Sequence, residues 1–466
     1  MVFYVSNKIV VVDYDKRLLD WCKENLVLNN PEFAKKERMG VWLGNTPRKI
    51  YLYEKDGSNI VIPFGCINDL RKNFPEYRFL SRICPIEDFK CDSSISLYDY
   101  QEKAVKAGIM TKNGVIVMPC GSGKTQVGLE IIARLKTKTL WLTHTQDLLN
   151  QSMSRAKSVL ECDPKSYGTI TGGKVNIGSG ITFATVQTMA KLDLSQYKDT
   201  WGCVVVDECH KAVGSPTKVM QFYKVLSNVS CRYKFGLTAT PKRADGLERS
   251  MFALLGNIVC EIGREAVADT TCPVKVQTVH TEYTPDLNIA LSGDGTINYA
   301  GLVDDLTHNP KRFECVSNVL ETLDGATLVL ANRVEYLERL KKEYDKRKGG
   351  FEPSICLSSL GQSKKAKEYR KRVLQALNEG EIDCVFATYQ LAKEGLDVPN
   401  LQYVVFATPE KDPTTIQQAA GRVGRKAEGK EYGTVIDFVD SNFGMFSGWR
   451  KKRESVYRKM DYEIIY

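Results

Sequence analysis

The spacing of apolar residues changes near residue 97. Beyond it, short apolar runs alternate with amphipathic segments of helical period, which predicts an α/β protein with helices between parallel strands. Predicted strands are Val115–Met118, Thr139–Thr143, Ile181–Ala184, Cys203–Val206 and Phe235–Leu237 in one series, then Leu328–Ala331, Val385–Ala387, Tyr403–Ala407 and Thr434–Phe438. Predicted helices are Gln126–Leu135, Gln146–Leu160, Thr217–Leu226, Val334–Tyr344 and Lys364–Leu377. The pattern predicts two parallel sheets in tandem.

Residues 1–90 have a different pattern, which predicts a small α+β accessory domain. The predicted elements are a strand over Phe3–Val12, a helix over Lys16–Val27, a hairpin of Lys49–Tyr53 with Asn59–Pro63, and a helix over Cys66–Asn73. Basic and aromatic residues interleave at Lys35, Lys36, Arg38, Trp42, Arg48 and Lys49. Such residues can hold phosphates and stack on bases, so DNA binding is one hypothesis; a solvated surface is the alternative.

Two further segments fall outside the alternating pattern. Residues 264–300 show little periodicity, and we predict an interdomain connection there, between α/β domains at 91–263 and 301–446. Residues 447–466 predict a basic C-terminal helix. Its default interpretation is a solvated helix that docks Trp449 and Tyr457, and nucleic-acid contact is the alternative.

Composition narrows the class of protein. With 466 residues, 43% hydrophobic and 26% charged, the chain has a globular composition, and it contains no apolar run of membrane-spanning length and no signal-peptide pattern. Its 14 cysteines form no CxxC pair or Cys/His cluster, which favours buried, reduced thiols over disulfides or zinc. The net charge of +9 suits a polyanionic partner without requiring one.

A glycine-rich loop follows the strand at Val115–Met118. It contains Gly121, Ser122, Gly123, Lys124 and Thr125. Glycines let backbone N–H groups close on a polyphosphate, and a helix N-terminus adds partial positive charge. In the pattern GxxxxGK(S/T), the lysine reaches the β and γ phosphates and the hydroxyl ligates Mg²⁺. Met118 replaces the first glycine of that pattern, so an ordinary glycine turn is the alternative.

An acidic pair follows a second apolar run. Asp207 and Glu208 come directly after the strand at Cys203–Val206. A carboxylate at the tip of a parallel strand can hold Mg²⁺, and its neighbour can polarise the water that attacks a γ-phosphate. Combined with the glycine loop, this pair predicts hydrolysis of a nucleoside triphosphate.

These motifs resemble those of the superfamily 2 helicases, with the acidic motif in the form DECH. The resemblance extends from Leu97 to Asp440 in the family's order of motifs: Gly236–Pro241 is similar to motif III, Thr388–Pro399 to motif V and Gln418–Arg425 to motif VI. The residues near Leu97 are similar to the Q-motif of the XPB-like and UvsW-like branch. The resemblance implies two tandem RecA-like lobes and a role for Thr238, Ala239 and Thr240 in coupling nucleotide state to domain movement.

The resemblance also implies an ATP site with Mg²⁺. Its catalytic residues would be Lys124, Asp207, Glu208, Gln418, Arg422 and Arg425, with Thr125 and Asp207 at the metal. The other nucleotide-binding residues would be Tyr98, Gln101, Gly121, Ser122, Gly123, Gly395 and Asp397. Gln101 would read the adenine edge. Arg422 and Arg425, on a predicted short helix, would stabilise the charge of the transition state once the lobes close.

Nucleic-acid contacts are implied at the ends of several strands. In the first lobe they are Thr143, His144, Thr145, Thr171, Gly172, Thr185, Gln187 and Thr188, and in the second Asn332, Arg333 and Thr388. Hydroxyls, amides and helix N-termini suit a sugar-phosphate track that is read without sequence preference. For each residue alone, an ordinary strand-end cap is the alternative.

Two details bear on the branch of the family. The sequence TAT followed by Pro241, Lys242 and Arg243 is commoner among DNA-directed members, whereas many RNA helicases carry SAT. Ala244 replaces the central Glu of the RED triplet of XPB-like proteins, and no cysteine set of the XPD type is present. We therefore expect an ATP-dependent DNA helicase or translocase, with an RNA helicase and a nucleotide-switched DNA clamp as alternatives. Its expected substrate is single-stranded, forked or branched DNA, and we expect a cytoplasmic monomer of a bacterial or phage-infected cell.

Overall fold

The fold consists of two compact units. A computed structural model describes residues 1–119, 121–215, 220–243, 245–291, 296–348, 354–359, 364–393 and 398–465. The first unit comprises residues 1–119 and 123–263, and the second comprises residues 264–466 with 120–122. Each unit contains a parallel sheet with helices between its strands, so the predicted α/β class with two RecA-like lobes is confirmed.

The first unit begins with the accessory sheet and continues into the first parallel sheet. Its strands are β1 (Val2–Val5), β2 (Lys8–Val12), β3 (Val27–Asn29), β4 (Lys49–Tyr51), β5 (Glu54–Asp56), β6 (Asn59–Pro63), β7 (Arg78–Ser81), β8 (Asp92–Ser93), β9 (Asn113–Val117), β10 (Thr139–Thr143), β11 (Leu160–Glu161), β12 (Tyr167–Thr171), β13 (Lys174–Asn176), β14 (Ile181–Thr185), β15 (Cys203–Asp207), β16 (Tyr233–Thr238) and β17 (Ile258–Glu261). Its helices are α1 (Lys16–Asn25), α2 (Pro31–Arg38), α3 (Ile67–Asn73), α4 (Asp99–Thr111), α5 (Lys124–Leu135), α6 (Gln146–Val159), α7 (Val186–Met189), α8 (Gln221–Leu226) and α9 (Glu248–Leu255).

The accessory sheet has the strand order β5-β6-β2-β1-β7. Alternate residues of β1, β2 and β6 face a core that α1 completes, as the period of two requires. Two details of the prediction were wrong. Phe3–Val12 is a hairpin, β1 with β2, and not one strand. The hairpin partner of β6 is β5, whereas β4 pairs with β3. Residues 49–53 and 54–56 are both short segments that could pair with β6, and tertiary packing decides which of them does.

The first parallel sheet has the strand order β13-β12-β14-β10-β15-β16-β9-β17. All neighbouring pairs from β12 to β17 are parallel, and their continuous apolar residues are buried because helices cover both faces. The carboxyl ends of β12, β14, β10, β15, β16 and β9 therefore lie along one edge. Three strands that sequence periodicity did not predict, β12, β13 and β17, lie at the outer positions of this sheet.

The second unit contains the second parallel sheet. Its strands are β18 (Val274–His280), β19 (Thr327–Ala331), β20 (Ser354–Cys356), β21 (Cys384–Thr388), β22 (Tyr403–Phe406), β23 (Gly433–Val439) and β24 (Glu463–Ile465). Its helices are α10 (Leu287–Ala290), α11 (Tyr299–His308), α12 (Pro310–Thr322), α13 (Val334–Lys348), α14 (Lys364–Glu379), α15 (Tyr389–Lys393), α16 (Pro413–Ala420) and α17 (Gly444–Lys459). The strand order is β20-β21-β19-β22-β23-β18-β24.

Two predictions about this unit need correction. The segment 264–300, predicted as a connection, contains β18, which runs parallel to β23 over seven residues from Val274 to His280. Its alternation of buried Val274 and Val276 with Lys275 and Gln277 is the signal that was missed. The C-terminal segment is a helix, α17, with Trp449 and Tyr457 buried as expected, but it continues into the edge strand β24.

Within the described residues, no helix is long and apolar enough to cross a membrane.

Candidate ATP site and nucleic-acid edge

The glycine loop connects β9 to α5 and has the geometry of a phosphate cradle. Gly121 and Gly123 both have φ of 81°, which glycine adopts without strain. A Cβ on Gly123 would lie 2.4 Å from Nε2 of Gln101, so the loop has no room for a side chain there. The first-glycine position of the motif holds Met118, whose side chain is fully buried and therefore belongs to the core.

Lys124 is held over the loop by backbone acceptors. Its Nζ donates to the carbonyl oxygens of Met118 at 3.4 Å and Pro119 at 3.2 Å. Lys124 is also the first residue of α5, whose N-terminus carries partial positive charge. A lysine beside a glycine loop at a helix N-terminus is suited to bind an anion such as a phosphate.

The predicted adenine-reading residues lie at the start of α4. Oε1 of Gln101 accepts a hydrogen bond from the backbone N–H of Tyr98 at 3.1 Å, and its Nε2 donates to Gln126 at 3.4 Å. Gln101 is buried, whereas Tyr98 is exposed and stacks on Tyr100 with ring centroids 5.6 Å apart. Tyr98 thus presents an exposed aromatic ring at the start of α4, at a position where the motif often has an arginine.

The acidic pair stands at the carboxyl end of β15. Burial raises the pKa of Asp207, and the neighbouring Glu208 raises it further. Burial also acts to raise the pKa of Glu208, but the hydrogen bond to His210 and the charge of Lys124 outweigh it and lower this pKa. Glu208 has a φ of 49°. This backbone conformation is costly for residues other than glycine, and such strained residues are common at functional sites.

The donor set of this site fits Mg²⁺. Asp207 is buried and its carboxylate is destabilised by the adjacent negative charge, so an added cation would be strongly favoured. Among the described residues no group of three or more His, Cys, Asp or Glu side chains could hold a metal by itself. A magnesium ion that keeps several waters and binds phosphate needs only one or two protein oxygens, which the Thr125 hydroxyl and the Asp207 carboxylate can supply.

A hydrogen-bonded chain connects the acidic motif to motif III. Nδ1 of His210 lies 3.3 Å from Oε2 of Glu208 and 3.1 Å from Oγ1 of Thr238. Oγ1 of Thr238 also accepts from the backbone N–H of Thr240 at 3.1 Å. Arg243 donates to the carbonyl oxygen of His210. The side chains of His210 and Thr238 therefore connect Glu208 to the residues after β16.

The predicted nucleic-acid residues of the first unit lie at the ends of three adjacent strands. β12, β14 and β10 end at Thr171, Thr185 and Thr143 respectively, next to β15 with its acidic pair. Local bonds fix their hydroxyls: Thr143 donates to the carbonyl of Thr145 at 3.0 Å, and Thr185 donates to Thr188 at 3.0 Å. The structure thus brings these predicted residues together on one edge.

His144 joins this edge to the acidic motif. Burial and the ammonium of Lys211 lower the pKa of His144 to about 4, so its ring is neutral at pH 7. Nε2 of the neutral ring can then accept a hydrogen bond from Nζ of Lys211, 2.5 Å away. Gln187 donates to the carbonyl oxygen of His144 at 2.6 Å. His144 is therefore more than a capping side chain.

In the second unit, motif VI lies at and beyond the end of α16. Gln418 is on this helix, but the helix ends at Ala420. Arg422 follows it in a turn and Arg425 lies in an isolated β-bridge, so the prediction of a helix for them was wrong. Arg422 is buried and donates to the carbonyl oxygen of Ala392. The backbone of Arg425 forms an antiparallel β-bridge with Thr271, and this bridge takes the place of the hydrogen bonds that a helix would provide at Arg425.

The other predicted residues of the second unit follow adjacent strands. Asn332 and Arg333 come after β19, and Thr388 ends β21 beside it. The side chain of Asn332 donates to the carbonyl of Pro409 at 3.3 Å, and Arg333 pairs with Asp304 at 2.9 Å on the surface. Gly395 and Asp397 of motif V lie outside the described residues.

Comparison with known proteins agrees with this arrangement. Residues 94–243 match the family model for the type III restriction enzyme res subunit, and residues 311–427 match that for the helicase conserved C-terminal domain. Together they cover β9 to β16 of the first parallel sheet and β19 to β22 of the second, in the expected order. The chain belongs to the superfamily 2 helicases. It is therefore an ATP-hydrolysing enzyme.

Three relatives illustrate the range of this helicase's similarity. It is 27% identical to the DNA 3'-5' translocase XPB2 of Sulfurisphaera tokodaii, over 81% of this chain and 90% of the relative. It is 22% identical to the ATP-dependent DNA helicase uvsW of Enterobacteria phage T4, over 88% and 84%. It is 25% identical to L396 of Acanthamoeba polyphaga mimivirus, which bears the name of an ATP-dependent RNA helicase, over 82% and 70%. The likeness to the XPB-like and UvsW-like branch is consistent with the Q-motif.

Sequence reasoning about this helicase missed three residues. Lys211 was assigned no role although it follows the acidic motif directly, and His210 was quoted in the motif without a function. The third is Gln126, in the first turn of α5, which accepts a hydrogen bond from Gln101. The only available signal was a polar side chain close to a motif residue, and such side chains are common on any surface.

Proposed function

We propose that this helicase couples ATP hydrolysis to movement along DNA. One observation carries the proposal: the ends of six adjacent parallel strands place phosphate-binding and acidic motifs on one half of an edge and the hydroxyls of β12, β14 and β10 on the other. The contact of His144 with Lys211 joins the halves. Because the nucleotide site and the sugar-phosphate track are connected in this way, binding of ATP at one can change the affinity for DNA at the other.

For hydrolysis we assign a role to each side chain. Lys124 binds the β and γ phosphates, and Glu208, kept ionised by its surroundings, orients the attacking water and accepts its proton. Thr125 and Asp207 hold Mg²⁺, which when bound neutralises charge on the phosphates. We further propose that Gln418, Arg422 and Arg425 stabilise the charge that develops on the γ-phosphate; by general precedent one such arginine contributes on the order of 10³-fold in rate.

Binding of the nucleotide base and of the nucleic acid completes the proposal. Gln101 and the exposed ring of Tyr98 bind adenine. Gly395 and Asp397 of motif V are further nucleotide-binding residues in this proposal. Thr238, Ala239 and Thr240 transmit the nucleotide state. The strand-end residues hold phosphates and sugars, which gives affinity without sequence preference.

DNA is the substrate that the features of the chain favour. The motif TAT with Pro241, Lys242 and Arg243 is commoner in DNA-directed members, and two of the relatives above are named as acting on DNA. The relative from mimivirus keeps RNA as the second candidate. A clamp that only switches is less favoured, because a pure binder needs no motif III network. We place the enzyme, as a monomer, in the cytoplasm of a bacterial or phage-infected cell.

The test measures ATPase activity with increasing single-stranded DNA, duplex DNA and RNA at several salt concentrations. We expect stimulation by DNA and its loss in Lys124→Ala, while Lys136→Ala, a lysine in an exposed pair with Asp92, keeps the activity. A rate that DNA leaves unchanged at every salt concentration would refute the motor. Displacement of streptavidin from labelled DNA separates a translocase from a clamp, which would displace nothing.

A further inference from the structure

The most exposed large hydrophobic side chain of the described residues lies in the accessory domain. Trp42 is 87% exposed, and its neighbours Met39 and Val41 are 63% and 50% exposed. The other four tryptophans are fully or partly buried: Trp21, Trp141, Trp201 and Trp449. Met39, Val41 and Trp42 thus expose three large apolar side chains within four residues, and exposed apolar patches rimmed by polar residues mark interaction sites.

The segment 39–47, here called the Trp42 loop, is fixed at its base. Asn30 accepts from the backbone N–H of Glu32 at 3.0 Å and so caps α2, and the same side chain donates to the carbonyl of Pro47 at 2.7 Å. Nζ of Lys36 donates to Oγ1 of Thr46 at 2.7 Å. These bonds attach the C-terminal end of the loop to α2 and its N-cap, and the N–H of Val41 donates to the carbonyl of Lys36 at 3.0 Å at the other end.

The indole of Trp42 lies against the backbone at Gly44. A Cβ on Gly44 would come within 3.1 Å of the indole ring, and Gly44 has a φ of 50°. Glycine therefore permits the ring to rest on the chain. With this support on one side and an 87% exposed side chain, Trp42 presents an open aromatic face to solvent.

The charge around the loop is positive. Between residues 31 and 49 there are five basic and two acidic side chains. Lys36 pairs with Glu32, but Lys35, Arg38, Arg48 and Lys49 are exposed and form no ion pair with any residue that the structure describes. Unpaired surface cations that precede and follow an exposed indole in the chain are complementary to a chain of phosphates with accessible bases.

We propose that the Trp42 loop binds an unpaired base of DNA at the boundary with a duplex, with Trp42 stacked on the base and the four cations on the flanking phosphates. A base inside a duplex has both faces covered by its neighbours, so only an unpaired or terminal base offers a surface for stacking. The inference rests on the proposed function, since it takes the nucleic acid to be DNA. It goes further by assigning fork recognition to a part of the chain outside both helicase family matches.

The experiment compares binding of the full-length protein to a fork and to covalently closed duplex DNA. Because stacking of one base contributes about 1–3 kcal/mol, Trp42→Ala should weaken fork binding about tenfold and leave closed duplex binding unchanged. Trp42→Phe should keep most of the affinity. Met110→Ala, which removes an 80% exposed apolar side chain from α4, is the matched control and should change neither.

A fluorescent base reports the contact itself. With 2-aminopurine as the unpaired base at the fork, wild-type protein should quench its emission, and Trp42→Ala should not. Equal fork binding by wild type and Trp42→Ala would overturn the inference. A change in tryptophan emission with protein concentration in the absence of DNA, present in wild type and absent from Trp42→Ala, would also overturn it and assign the loop to self-association. If DNA still stimulates the ATPase in those cases, the proposed function survives; if it does not, the proposed function fails by its own test.

Discussion

Replacing Asp437 by Asn should strongly destabilise the second unit. Nε of Arg453, on α17, donates to both carboxylate oxygens of Asp437 at 2.9 Å, and the two side chains are only 1% and 3% exposed. Asparagine keeps the shape but removes the negative charge. Because a guanidinium does not give up its proton, Arg453 stays charged and buried without its counter-ion.

The size of the effect follows from this burial. Removing one partner of a buried pair costs about 3–5 kcal/mol, which is a large share of the ~5–15 kcal/mol that stabilises a typical protein. For a unit of this size, about 3 kcal/mol lowers Tm by roughly 6–12 °C. Arg453 also donates to the carbonyl oxygen of Glu410, just before α16, so the loss should loosen the helix that carries Gln418.

Scanning calorimetry of the full chain measures the shift of the transition of the second unit. The matched control is Arg450→Ala, one turn earlier on α17, which breaks a pair with Glu454 at 2.7 Å whose side chains are 24% and 21% exposed. We expect that control to cost under about 1 kcal/mol. The double variant Arg453→Met with Asp437→Leu should recover most of the stability, because it buries no charge. If Asp437→Asn and Arg450→Ala lower Tm equally, burial does not determine how much an ion pair contributes to the free energy of unfolding, and the reasoning is wrong.

Two substitutions test the nucleotide site. Gly123→Ala puts a Cβ 2.4 Å from Nε2 of Gln101 at a φ of 81°, and the combined backbone strain and displacement of Gln101 should raise the KM for ATP more than about tenfold. Gly429→Ala, at a φ of 75° with open space around it, is the control and should leave the KM unchanged. Equal KM values for the two variants in titrations of ATP would contradict a steric role of Gly123. Thr238→Val removes the hydroxyl near His210, a hydrogen bond of about 1 kcal/mol, and should reduce ATP hydrolysis by about fivefold but strand displacement by more, with Thr238→Ser close to wild type. Parallel losses in both assays would show that this hydroxyl does not couple them.

The motifs were predictable because their chemistry is local. A glycine loop between a buried strand and a helix binds phosphate by its own backbone, and a carboxylate directly after an apolar run must stand at the strand's end. The alternation of apolar runs and amphipathic segments likewise determined the α/β class. Sequence periodicity was insufficient at β18, where the alternation of buried and less buried residues holds only for Val274–Gln277, and at the β5–β6 hairpin, where two short segments compete for one partner.

Contacts between distant segments were decided by the tertiary structure alone. Arg312 and Asp440 are 128 positions apart yet form a fully buried pair at 2.7 Å, and Arg453 looked like one more cation of a solvated helix until Asp437 was seen beneath it. The residue type of Trp42 does not predict its exposure, because the other four tryptophans are fully or partly buried. A sequence pattern reports which residues prefer burial over a few turns or strands, whereas the partner of a charge and the exposure of a ring depend on strand order and helix packing across the whole unit.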